Sequence, residues 1–117
     1  MEGKKEGKFI EENNVEKELK NIGVDERAIQ IFLAKSKFRR IKLYKIRNAI
    51  ANILKQEALS VGADVAVNKG CVNCTVAYSD VLVMGTVAQL KKLVEKMKYN
   101  VSESKEVAEE IEILINH

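Results

Sequence analysis

The sequence predicts an α+β domain: a small mixed β-sheet of three to four strands packed with four to five helices. Two observations carry this reading. The apolar residues change their spacing several times along the chain, from the three-to-four-residue recurrence of an amphipathic helix to the alternation of a half-buried strand and back. One strand–helix–strand unit then runs into further strand-like segments, an order that gives a right-handed parallel pair extended by antiparallel strands. With 117 residues, 46% of them hydrophobic and 32% charged, the chain suffices for one globular domain that buries a core without metal or disulfide staples.

The elements follow in order. Residues 1–12 read as a flexible charged arm, and 13–117 as the domain. Asn13 with Glu16 has the form of a capping box, opening a helix that would bury Val15, Leu19 and Ile22 and end at Gly23. Asp25 can cap a second helix with Ile29, Phe32 and Leu33 inside. From Phe38 to Ile46 the period becomes two, with Ile41 and Leu43 alternating with Arg40, Lys42 and Tyr44, as in a strand with one wet face. From Asn48 to Val61 it is helical again, with Ile50, Ile53, Leu54, Ala58 and Val61 on one side and Gly62 at the stop. Strand-forming runs follow at Asp64–Asn68, Cys71–Tyr78 and Val81–Met84. Thr86 with Gln89 is a capping box for a helix burying Val87, Leu90, Leu93, Val94 and Met97. Ser102 or Ser104 can cap the last helix, whose inner stripe is Val107, Ile111, Leu114 and Ile115.

Both cysteines stand in one Cys-x-x-Cys, within "KGCVNCTVAYSD". On an extended segment two residues three apart face opposite ways, so Cys71 and Cys74 would not share an ion. Structural zinc takes four ligands, and the one histidine is His117. A redox pair needs its first thiol activated, typically at a helix start, whereas strand-formers follow here. The expectation is Cys74 in the core with Val72 and Val76, Cys71 near a turn, and no metal or cofactor. Ser79-Asp80 has no histidine for a triad, and no catalytic residue is assigned.

Charge is uneven. Lys35, Lys37, Arg39, Arg40, Lys42, Lys45 and Arg47 form a block without an acid, while Glu103, Glu106, Glu109, Glu110 and Glu112 make the C-terminus acidic. Arg39, Arg40 and Lys42 could hold a phosphate or nucleic acid. The net charge of only +3, with no glycine-rich phosphate loop and no aromatic RNA-binding signature, favours a lysine-guarded strand edge instead. Asn52, Lys55, Gln56 and Glu57 form a polar cluster on the central helix. No apolar run reaches the ~18 residues of a membrane span, and the polar start "MEGKKEGKFIEENN" lacks the form of a signal peptide. The expected compartment is the cytoplasm, with reduced thiols.

The stretches "ANILKQEALSVGADVAV", "VNC" and "DVLVMGT-AQLKKL", within Asn48–Lys98, resemble the segment preceding the barrel in a bacterial and archaeal subgroup of dihydropteroate synthases. The earlier "NIGVDERAIQIFLAKSKFRRIKL" is similar to the lead-in of the same enzymes. Those enzymes join a pterin pyrophosphate to p-aminobenzoate in a (β/α)₈ barrel, which needs roughly 200 residues. This chain is too short for one and lacks the "NVTPDSF"-like strand-end motif, so no catalytic residue is implied. The resemblance implies a non-catalytic accessory domain in folate or pterin metabolism, docking to a separate dihydropteroate synthase barrel polypeptide through Asn52, Lys55, Gln56 and Glu57. The alternatives are a pterin- or phosphate-binding domain and a nucleic-acid binder using block 35–47. Homo-oligomerisation stays open.

Overall fold

The computed structural model describes residues 5–117. Of the arm expected over 1–12, residues 1–4 lie outside the described residues, and 5–11 form no helix or strand. Five helices and a three-stranded sheet follow: α1 (Val15–Ile22), α2 (Glu26–Ser36), β1 (Phe38–Arg47), α3 (Asn48–Ser60), β2 (Asp64–Ala66), β3 (Tyr78–Thr86), α4 (Val87–Lys98) and α5 (Ser102–Ile115). The fold is α+β.

The helix boundaries follow local chemistry. Asp25 Oδ1 accepts from Arg27 N at 2.8 Å and starts α2, while Gly23 at φ 84° closes α1 in a conformation that costs glycine nothing. The Thr86–Gln89 capping box forms in both directions, at 3.1 and 2.9 Å, and fixes the turn from β3 into α4. Two expected caps do not form. A single 3₁₀ turn over Glu12–Asn14 precedes α1, which has no side-chain cap. Val101 stands at the start of α5, leaving Ser104 inside the helix with its Oγ buried and unpartnered.

The sheet order is β1-β3-β2, with both pairings antiparallel. The expected adjacent parallel pair is therefore corrected. β1 and β2 do run in the same direction on either side of α3, but β3 is inserted between them and pairs with each. The sheet is antiparallel throughout, not mixed.

Alternation along the strands sends Ile41, Leu43, Val65, Val81 and Val83 inward onto α3, α4 and α5. There they meet Ile50, Leu54, Leu90, Leu93, Met97 and Ile111, all fully buried; each such side chain contributes about 1.5–3 kcal/mol. The stripe expected for α4 is buried in full. The stripe expected for α1 is not: Val15 and Leu19 are half-covered and Ile22 is 73% exposed. α1 packs against α2 alone among the helices, and α2 in turn against α4, so a two-sided cover is missing.

The segment expected as a strand at Cys71–Tyr78 is also corrected. Lys69–Cys71 is a 3₁₀ turn, residues 72–77 are irregular, and the strand begins only at Tyr78. Asparagine chemistry explains it: Asn68 Oδ1 accepts from Gly70 N at 2.8 Å and Asn73 Oδ1 from the Thr75 hydroxyl at 2.9 Å, local bonds that compete with a ladder. The turn packs closely on Gly70: a Cβ there would lie 2.6 Å from Thr75 Oγ1, so the Thr75 and Val76 side chains would have to shift to admit one.

Candidate functional site

All helices that touch the core side of the sheet leave its other face open. On β1 that face carries Phe38, Arg40, Lys42 and Tyr44, all exposed; on β3 it carries Asp80, Leu82 and Met84; on β2, Asp64 and Ala66. The register sets these in rows, Arg40–Met84–Asp64 and Lys42–Leu82–Ala66. Half-buried Leu82 and Met84 thus form an apolar centre, with cations along one edge and carboxylates around the other. Arg40 lies over the Phe38 ring at 5.3 Å and Lys42 over Tyr44 at 5.1 Å, contacts that hold the heads of both cations against the face.

Beyond Leu43 the strand bends. A register shift lies between Leu43 and Ile46, and Lys45 sits at φ 52°, where a non-glycine residue is strained. Asp80 Oδ1 accepts the Lys45 N–H at 2.9 Å and stabilises the bulge.

The basic block is divided by this geometry. Arg40 and Lys42 stand on the open face. Arg39 points to the opposite side, where its Nε donates to Ile115 O at 3.1 Å, a favourable place for a cation at the end of a helix. Arg47 donates to Glu103 in the first turn of α5, with contacts of 2.9–3.0 Å; Glu103 is the largest cause holding the Arg47 guanidinium above its ordinary value. These two arginines clamp α5 along β1, end to end.

The helix cluster is divided as well. Asn52 Nδ2 donates to Cys71 O at 3.0 Å. Lys55 Nζ donates to Val65 O at 2.9 Å and pairs with Asp64 Oδ1 at 3.0 Å. That bond, with the Val65 N–H, holds the Asp64 carboxyl below its usual value. Asn52 and Lys55 are therefore struts between α3 and the segments beside it. Together with Gln56, Leu59 and Val72 they line a shallow groove of about 390 Å³. Glu57 lies off that stripe, since 52, 55, 56 and 59 share one side of a helix. α3 and the open sheet face lie on opposite sides of the sheet, so the structure does not bring Asn52, Lys55, Gln56 and Glu57 together with Arg40 and Lys42.

The cysteines exchange their expected places. Cys71 is fully buried in the core, and Cys74 is exposed at φ 58°. Because the segment is a turn, not a strand, the alternation argument does not apply to it. Among the described residues no three His, Cys, Asp or Glu side chains converge on a metal-sized site, and no helix is long and apolar enough to cross a membrane.

Compared with known proteins, the chain matches no family model, no curated protein and no solved structure.

Sequence reasoning named Arg40 and Lys42 but missed Leu82, Met84 and Ala66. Val81-Leu82-Val83-Met84 is apolar on both sides, and such a run reads as a strand buried on both faces. The available signal was arithmetic: every helical stripe could be accommodated by one layer, which leaves nothing to cover the second face.

Proposed function

We propose that this chain is a non-catalytic docking domain, a counterpart of the region that precedes the barrel in a subgroup of dihydropteroate synthases. It serves folate or pterin metabolism in the cytoplasm by presenting the open face of its sheet to a separate barrel polypeptide. The family part of this reading rests on the residue stretch Asn48–Lys98. The docking part rests on one observation: Leu82 and Met84 stand half-buried at the centre of a sheet whose opposite face is the one covered by α3, α4 and α5.

The face suits protein better than nucleic acid. Arg40 and Lys42 are a row of two cations with Asp80 on the same surface, and Asp64 at the far rim is already paired with Lys55, so the face offers no track for a phosphate chain. It is also small. At ~3.4 Å per residue and ~4.8 Å between strands, the face spans roughly 20 Å along β1 and β3 and at most about 15 Å across, where β2 joins. That is about 300 Å², well below the ~800 Å² each partner contributes to a stable complex. The face therefore acts as one part of a larger or transient contact.

The test is association of the purified chain with a dihydropteroate synthase barrel polypeptide, followed by sedimentation. Leu82→Glu combined with Met84→Glu should abolish association; half-burial puts the cost to stability at about 1 kcal/mol for each, so far-UV dichroism confirms that the variant is folded. Association unaffected by these changes, or no association alongside salt-sensitive retention of oligonucleotides, would refute the reading.

A further inference from the structure

Among the described residues no strand pairs with the outer edge of β1. Val87 N donates to Lys37 O at 2.8 Å, and the register Phe38↔Thr86 extends to that pair. Odd-numbered residues of β1 up to the bulge therefore turn their backbone groups to β3, and even-numbered ones turn theirs outward. At Phe38 the outward groups are occupied, the N–H by Glu12 Oε1 at 3.4 Å and the C=O by Arg39 Nη1 at 3.2 Å. At Arg40 and Lys42 the N–H and C=O groups have no partner among the described residues. Directly beside this edge runs α5, held there by Arg39 and Arg47. Between them lies a trough of about 580 Å³ floored by Ile46, Val107 and Leu114 and rimmed by Glu106 and Glu110. It continues past Lys42 and Leu114 into a second hollow of about 280 Å³ beside Arg40.

We propose that this edge and trough form a strand-accepting site for an extended partner segment in which aliphatic residues alternate with acidic ones. The backbone of the segment would pair with Arg40 and Lys42 as a fourth strand. Alternate side chains of an added strand point to opposite faces. The aliphatic set enters the trough over Ile46, Val107 and Leu114, and the acidic set stands beside Arg40 and Lys42 on the open face. Glu106 and Glu110 repel a segment whose acidic set faces the trough, which fixes the face it presents. The basic side chains that shield this edge against self-pairing are the same ones that select an acidic strand. This contact uses the edge of β1 and shares Arg40 and Lys42 with the sheet face, but it does not depend on the identity of the partner that binds over Leu82 and Met84.

The probe is a fluorescein-labelled peptide, Asp-Val-Asp-Leu-Asp-Val-Asp, titrated into the full chain by anisotropy, with amide shifts mapped by NMR. Saturable binding is expected, with shifts at Arg40, Lys42, Val107 and Leu114. Lys42→Glu should weaken it by about tenfold through loss of a charge-assisted contact. Lys42→Pro should abolish it, because it removes an N–H that points away from β3 and leaves the ladder intact. A peptide N-methylated throughout should fail against every variant. Four results would overturn the proposal. These are no binding, equal binding of the N-methylated peptide, shifts confined to Leu82 and Met84, or a Lys42 amide already protected from exchange in the free chain. The last would mean that the chain's own arm or a second copy covers the edge.

Discussion

Replacing Asn52 by alanine tests the role of α3 most directly. Asn52 Nδ2 holds Cys71 O at 3.0 Å, and Cys71 is 0% exposed. The substitution leaves that carbonyl with only the longer bond from the Cys74 N–H at 3.4 Å, so the loss is that of one hydrogen bond, about 0.5–1.5 kcal/mol. Asn48 Nδ2 still holds Val76 O at 2.9 Å, so the 67–77 segment should open locally and the domain stay folded. The assay is thiol labelling of Cys71 in a Cys74→Gly background, where glycine accepts the φ of 58° without strain. Labelling then reports the opening equilibrium, and 1.4 kcal/mol is a tenfold change. Asn52→Ala should therefore label Cys71 roughly two- to tenfold faster than the parent, while far-UV dichroism is unchanged. If Cys71 labels no faster, the bond carries no stability. If Cys71 reacts as fast as Cys74 in the unaltered chain, the burial assignment itself fails.

Three further outcomes follow from single contacts. Ser104→Ala removes a buried hydroxyl without a partner from a helix interior and should raise stability by about 1 kcal/mol, or the thermal midpoint by about 4 °C. Lys45→Gly relieves a left-handed residue at φ 52° and should stabilise by up to about 1 kcal/mol, whereas Lys45→Val should destabilise by chemical denaturation. The Asp64 carboxyl is depressed by Lys55, so the stability it contributes is present above the unfolded value near 3.8 and lost as pH falls through the lower folded value. The difference in unfolding free energy between the parent and Asp64→Asn, from urea titrations, should be constant above about pH 5 and vanish in acid. It should stay under about 1 kcal/mol, since the pair is largely exposed.

The α3 result bears on what polar residues on a helix mean. Asn52 and Lys55 attract attention in the sequence because they interrupt an amphipathic pattern at positions that cannot be core. Their partners are backbone carbonyls 10 and 19 residues away, and no local pattern reveals such partners. Arg39 is similar: in the chain it belongs to a basic block, but in space it closes the end of α5. A charge run loses its unity as soon as the strand alternates its members between two faces.

Signals complete within a few residues were legible from the chain alone. The Thr86–Gln89 box, the Asp25 cap and the glycine stops at Gly23 and Gly62 each involve neighbours along the sequence, and the apolar stripes of α3 and α4 repeat often enough to define their buried sides. The α+β class and the wet face of β1 followed from those periods. Tertiary structure decided what depends on distant partners. β3 came to lie between β1 and β2 because backbone pairing is indifferent to chain order once the loops are long enough. Cys71 went inside and Cys74 outside because asparagine side chains and the close approach at Gly70 outcompeted strand formation in the segment between. The open face was fixed last of all, since which side of an apolar strand meets water depends only on where the helices pack.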